Sequence, residues 1–444
     1  MAVVALPDLV RPPNLDRVSR SLAVAGLGLL LVTSLASVGY LVVRTRPADL
    51  PLHADTVALA AGGEVTEVRA VEVVPGTRVL AGTPETDRLV AEERAWLAAG
   101  TVPVVDGVPR DLVVAGLLDL RVLSRTYGVP VAGWSPAWRH VWPRDSALAA
   151  AALARTGHVG DAERIVAFLG RVQPASGVLA ARYLADGQGE PDDRGTQLDG
   201  VGWALWALAQ VAGALPVGER ADFIRQHSAL LDRSSAAARM AIDNPRTLPP
   251  VSPDYWEVPE RRRTLSTAAL LAAGLESAAA LYAVLGDEVA RTTAADAATR
   301  LRSVVLARFE PDGFPRHLGG RADSVDLGVS FLLPPFSAQA EPAVVEAWRH
   351  AGLAMARPAG GLAPGGSWRR DGISWTNATA TYALTAAAIG ERVQARAWLG
   401  WLDRHRTPAG SFPEKVLADG RPASVAPLAW TAAAVVLTAD ALSA

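Results

Sequence analysis

Residues 142–156 read WPRDSALAAAALART. Pro143 suits the first position of a helix, where its missing N–H costs little. The alanines and leucines that follow leave almost no polar face, and a helix apolar on most sides must be buried on more than one. The same character returns in QLDGVGWALWALAQVAG (197–213) and RTLSTAALLAAGLESAAALYAVL (263–285). Helical spacing predicts about twelve helices, at 87–99, 110–126, 144–156, 159–171, 197–213, 218–242, 263–285, 287–308, 340–355, 374–389, 391–404 and 427–441. Pro-, Gly- and Asp-rich loops separate them. No short repeat of fixed motif runs through them, which argues against a regular solenoid. Six helical hairpins closed into a double ring fit this pattern: an all-α toroid, (α/α)6, whose loops at one end build a single concave site.

This helical part is expected over 87–444. Before it, segments 56–61, 64–74 and 78–81 carry β-branched residues broken by Gly-Gly and Pro-Gly, and TEVRAVEVV alternates as a half-buried strand does. Residues 44–86 therefore read as a linker and a small β-rich segment. Residues 21–43, SLAVAGLGLLLVTSLASVGYLVV, hold no charge and are long enough to cross a bilayer. Arg11, Arg17 and Arg20 precede the span, and Arg44 and Arg46 follow it. That slight bias favours a cytoplasmic tail over 1–20 and a transmembrane anchor. A signal peptide cleaved near Ser34 and Ala36 is the rival reading. Either way the remainder is exported, and later apolar runs are expected to be broken by charge.

The chain of 444 residues has a net charge of −2, which gives no nucleic-acid footprint. It contains no cysteine, which excludes disulfides, thiolate metal sites and cysteine nucleophiles. Seven histidines lack metal-binding spacing, and no phosphate or dinucleotide fingerprint is present. Neither a metal nor a cofactor is expected. Thirteen tryptophans outnumber the seven phenylalanines and six tyrosines, which suits sugar-stacking surfaces but equally a large core.

Two glutamates stand in aromatic, turn-rich breaks between helices: Glu257 in SPDYWEVPE and Glu414 in AGSFPEKVLADG. Two carboxyls facing each other across a cleft are the minimum equipment for hydrolysis of a glycosidic bond. Pro253 and Pro259 bracket Glu257, and the aromatic wall beside it is expected to desolvate the carboxyl and raise its pKa, as a general acid requires. Glu414 is expected to stay ionised and activate water, aided by Lys415. Arg144 and Asp145 open a helix after the aromatic stretch GWSPAWRHVWPRD (133–145), and Gln197 and Asp199 share a loop end with Trp203 one turn on. GGSWRRDGISW (365–375) forms a candidate substrate rim. Each site also fits an ordinary role: Arg144–Asp145 and Gln197–Asp199 as helix caps, Glu257 paired with Arg261, Arg262 or Arg263, and Glu414 as a surface charge.

Taken in order, the motifs WPRDSA, QLDGVG, DYWE and SFPEK resemble glycoside hydrolase family 15, the glucoamylase-like enzymes, over about residues 110–440. The resemblance implies an (α/α)6 barrel and an inverting mechanism in which Glu257 protonates the glycosidic oxygen and Glu414 activates water. It implies that Arg144 and Asp145 hold the hydroxyls of the terminal sugar. Trp142, Gln197, Asp199, Trp256, Trp375 and Trp430 are expected as further substrate contacts, with α-linked gluco-oligosaccharides as substrate. The sequence departs from the pattern at Val258, where many relatives carry a second glutamate, which leaves linkage preference and activity itself open. Without a recognisable starch-binding module, raw starch is not expected as substrate. The alternatives are a catalytically silent carbohydrate-binding envelope protein on the same barrel and a glycoside phosphorylase.

Overall fold

The computed structural model describes residues 50–242 and 248–444. The expected tail and apolar span, residues 1–43, lie outside the described residues. Strands β1 (Thr56–Leu59) and β2 (Val65–Val68) form an antiparallel hairpin. Val79 bridges to Leu59 and Leu80 to Val73, so the three β-rich stretches meet as expected. This small element is continuous with the helical body: Val57, Leu59, Val65 and Val79 enter the same core as the helices.

The helices are α1 (Thr86–Ala99), α2 (Arg110–Ser124), α3 (Pro143–Arg155), α4 (Val159–Val172), α5 (Asp199–Ala214), α6 (Val217–Gln226), α7 (Ser228–Met240), α8 (Leu265–Leu285), α9 (Glu288–Phe309), α10 (Pro342–Met355), α11 (Thr376–Ala388), α12 (Arg392–Arg404) and α13 (Ala429–Ser443). Helix α3 packs on α5, and α5 packs on α8. Helix α8 meets a short 3-10 segment, Leu327–Leu332, which touches α11; α11 packs on α13, and α13 returns to α3. This inner circuit is closed. Outside it, α4 lies on α3, α7 on α5 and α8, α9 on α8, α10 on the 3-10 segment, α12 on α11, and α2 on α13. The arrangement is in keeping with the expected double ring.

Burial follows the two layers. In α3 every residue from Pro143 to Ala154 is buried. The outer α9 buries only Ala294, Ala297, Ala298, Leu301, Arg302, Val305 and Phe309, a single stripe at helical spacing. Inner helices approach closely where glycines face each other. A Cβ on Gly202 of α5 would lie 2.2 Å from the Leu270 carbonyl oxygen of α8, and one on Gly274 would lie 2.7 Å from the Gly202 Cα.

Three features differ from expectation. The helix expected over 218–242 breaks at His227, whose φ of −108° and ψ of 18° end α6 and begin α7. The break lets Phe223 and Ile224 on one piece, and Leu230 and Leu231 on the other, bury separately. The fourth inner position is the 3-10 segment rather than a full helix, because Pro334 and Pro335 forbid its extension. Finally, α8 is long and apolar enough to cross a membrane, with a mean hydropathy of 1.8, although no second span was expected. Its apolar faces are covered by the ring: Leu265, Leu270, Leu271 and Leu275 are all buried.

Candidate active site

The N-terminal ends of α3, α11 and α13 and the loop that leads into α8 converge on one cavity of about 370 Å³. Trp142 caps α3, with Arg144 and Asp145 in its first turn. Trp375 caps α11, Trp430 lies in the first turn of α13, and Glu257 stands in the loop before α8. All six line the cavity, together with Trp256 and Glu414. Helix N-termini carry partial positive charge and unpaired N–H groups, so the fold aims donors at this space.

Glu257 has φ of +53°, a left-handed backbone that a non-glycine residue seldom adopts. The turn that imposes it is fixed from both ends. The Glu257 N–H donates to the Asp254 carbonyl at 2.8 Å, and the Trp256 N–H donates to the Asp254 carboxylate at 3.0 Å. Asp254 is in turn fully buried and bonded by Ser266 Oγ and by Arg316 Nη2 at 2.7 Å. Arg316 also reaches Glu260 at 2.5 Å and Asp326 at 2.7 Å, and its guanidinium lies 3.9 Å from the centre of the Trp256 ring. Strain at such a loop persists only where the surroundings over-determine it. Glu257 itself faces two guanidiniums: Arg144 Nη2 at 3.5 Å from Oε1, and Arg194, which pairs with Oε2. It does not pair with Arg261, Arg262 or Arg263.

Glu414 has a different set of partners. Ser424 Oγ donates to Oε2 at 2.6 Å, Lys415 Nζ lies 3.0 Å from Oε2, and Trp138 Nε1 donates to Oε1 at 3.4 Å. The backbone is equally tied, with Glu414 N–H donating to Val425 at 2.8 Å and Thr376 N–H donating to the Glu414 carbonyl at 3.0 Å.

Arg144 is held by Asp145, 3.3 Å away, and by the Trp430 ring, 4.5 Å below its Cζ. Burial pushes the Asp145 carboxyl up to about 6; Arg144 opposes the rise and Glu257 adds to it. Burial, reinforced by Asp254, raises Asp199 to about 7. Gln197 and Asp199, expected as substrate contacts, are not in the cavity wall. They share a separate small crevice with Trp142, Arg144 and Trp203, one layer behind the surface. The sequence placed them at the correct helix end, but the side chains at the start of α3 stand in front.

Five polar or aromatic lining residues are not among the expected contacts: Trp138, Arg182, Arg194, Tyr255 and Asn377. Arg194 lies in GEPDDRGT, which reads as a solvated acidic loop. Tyr255 lies inside the DYWE motif, between Asp254 and Trp256. Asn377 lies in the first turn of α11. Trp368 of the expected rim does line the cavity, packed edge-on against Trp256 with ring centres 4.7 Å apart.

No protein-family model and no curated protein matches the chain. Solved structures do. A wild-type glycosidase superposes with a TM-score of 0.64 at 21% identity, over 75% of this chain and 96% of that one. The fold is that of the glucoamylases. A bacterial glucoamylase complexed with acarbose matches with a TM-score of 0.65 at 17% identity, over 80% of this chain and 58% of its own. The glucoamylase of Saccharomycopsis fibuligera matches with a TM-score of 0.59 at 13% identity, over 77% of this chain and 96% of its own. A glycosidase in complex with glucose is also among the similar structures.

Proposed function

We propose that this protein is an inverting, exo-acting α-glycosidase that releases glucose from α-linked gluco-oligosaccharides on an (α/α)6 barrel. The observation that carries the reading is the placement of Glu257 and Glu414 on one tryptophan-lined cavity at the N-terminal ends of α3, α11 and α13. Glu257 would give its proton to the glycosidic oxygen as the bond to the anomeric carbon breaks. Glu414, an acceptor held by three donors, would take a proton from the water whose oxygen bonds that carbon from the opposite face. Inverting pairs stand ~6.5–9.5 Å apart to admit that water. Arg144 and Asp145, fixed against Trp430, would hold the hydroxyls of the terminal sugar. The acarbose and glucose named with the similar structures support a sugar ligand of this class.

We further read residues 21–43 as an uncleaved anchor that places the catalytic body outside the cytoplasm. Support for this is the uncharged run and its flanking arginines. Cell fractionation with protease protection checks it.

The catalytic reading is tested by anomer-resolved NMR on maltose and isomaltose. The expected first product is β-glucose. Glu257→Gln and Glu414→Gln are each expected to lower turnover by at least ~10²-fold with the fold retained. An α-glucose product, or near-wild-type turnover in either variant, overturns the assignment.

A further inference from the structure

Three guanidiniums crowd the wall on which Glu257 stands. Arg144 and Arg194 face its two oxygens, and Arg182 lies with its Cζ 5.0 Å from the Trp142 ring centre. Their other acidic partners are two: Asp145 for Arg144, and Asp192, which both Arg182 and Arg194 contact. The Nε atoms of Arg144 and Arg182 are buried and make no hydrogen bond. With Glu257 counted, three guanidiniums face three carboxylates, so the ion pairs on this wall balance only while Glu257 is ionised, and a proton on Glu257 leaves one guanidinium without a counter-charge.

To act as an acid, Glu257 must hold a proton and present an oxygen to the leaving group. A protonated carboxyl cannot keep two guanidiniums as ion-pair partners, so one has to withdraw. Arg144 is fixed, with its side chain only 10% exposed and stacked on Trp430. Arg194 is 40% exposed and sits on a loop between Gly189 and Gly195, both at positive φ. Arg194 is the one free to turn away, and its remaining partner, Asp192, is already shared with Arg182. Sugar hydroxyls replace a carboxylate poorly as its acceptor. A carboxylate on the incoming substrate replaces it in kind, through the planar fork that arginine offers. The same loop exposes Glu190 and Asp193, which tolerate a single negative charge far better than a doubly charged phosphate.

Resting on the glycosidase reading, we infer that the preferred substrate is an α-glucoside whose leaving group carries a carboxylate, and that Arg194 is the specificity-determining residue. It takes the substrate's carboxylate as it releases Glu257.

The test uses matched leaving groups that differ in charge: maltobionate against maltitol, and isomaltobionate against isomaltitol, assayed as kcat/KM with the full chain. For the cleavable linkage, the acid is expected to be preferred by about tenfold, the size of one charge-assisted hydrogen bond at a half-open site. In Arg194→Gln that ratio is expected to fall to about one; Arg194→Lys, which keeps the charge without the fork, should fall between. A wild-type ratio at or below one, or a ratio unchanged in Arg194→Gln, overturns the inference while hydrolysis of the neutral member leaves the glycosidase reading standing. Failure to cleave either pair or any neutral gluco-oligosaccharide overturns both.

Discussion

Arg316→Met separates what holds the Glu257 loop in place from what holds the protein together. The Arg316 side chain is 1% exposed and bonds Asp254, Asp326 and Glu260, which are 0%, 0% and 6% exposed. Removing it leaves three buried carboxylates without their cation, a change that costs ~3–5 kcal/mol. Asp326, which burial already raises, can take up a proton and cap the loss near the lower end. An unfolding entropy of ~2.1 cal/mol/K per residue gives ~0.8 kcal/mol/K for a body of roughly 400 residues, so the melting midpoint should drop by only ~4–6 °C. Catalysis should suffer more. Asp254 sets the turn that aims Glu257, and a displacement of about 1 Å at a catalytic group costs ~10²-fold in rate. Turnover measured at 25 °C, where the variant is still folded, should therefore fall ~10²-fold. Arg316→Lys keeps the charge but cannot serve three carboxylates, so it should be intermediate in both readouts. A variant that melts ~5 °C lower yet turns over within twofold of wild type would show that the cluster contributes stability alone. In that case the aim of Glu257 would have to come from Arg144 and Arg194.

Two further outcomes follow from the buried layer. Asp199 is raised to about 7, against ~3.9 in an unfolded chain, so unfolding releases its proton across that interval. Its contribution to stability is full below about pH 4 and is lost as pH rises to about 7. The melting difference between wild type and Asp199→Asn should therefore turn against wild type from pH 4 to 7 and flatten above pH 8; a pH-independent difference refutes the raised carboxyl. Gly202→Ala puts a Cβ 2.2 Å from the Leu270 carbonyl oxygen, a backbone atom that cannot rotate away. Helices α5 and α8 must part, at or above the ~3 kcal/mol end of overpacking costs, and a denaturation midpoint equal to wild type would refute that close approach.

Much of the fold was legible because the inner helices advertise themselves: Ala and Leu on every face can only mean burial all round, and the closed circuit follows from having several such helices. The 3-10 segment was not legible as an inner member, since FLLPPF reads as a loop until the ring around it shows that it fills a helix's place. The break at His227 carried no proline or glycine to mark it; tertiary packing of Phe223 and Leu230 makes it. Glu257 and Glu414 were visible as carboxyls in aromatic turns, a local pattern. Arg194 was invisible because its significance lies in a partner 63 positions away. Gln197 and Asp199 differ again: their helix end is legible in QLDG, but depth behind Arg144 is a property of packing alone.

The two carboxylates stand on loops secured by the same device. A buried arginine, Arg316, grips Asp254 beneath the Glu257 loop. Another, Arg78, donates to Asp119 at 2.6 Å, and Asp119 accepts from Ser411 Oγ at 2.8 Å and Phe412 N–H at 3.3 Å, just before Glu414. Arg78 belongs to the β segment that precedes the helices. From the same segment, His53 N–H donates to the Ser424 carbonyl and the Pro51 carbonyl accepts from Ser424 N–H, each at 2.9 Å, and Ser424 holds Glu414. Buried ion pairs seldom exceed well-packed apolar groups in stability, so stability alone is a weak reason to keep two such clusters. Position is a stronger one. A displacement reaction that must fit a sugar and one water between two carboxyls tolerates errors of well under 1 Å. A guanidinium bonded to several fixed oxygens sets direction as well as distance, which non-directional apolar contact does not. The short β element is thus the footing of Glu414.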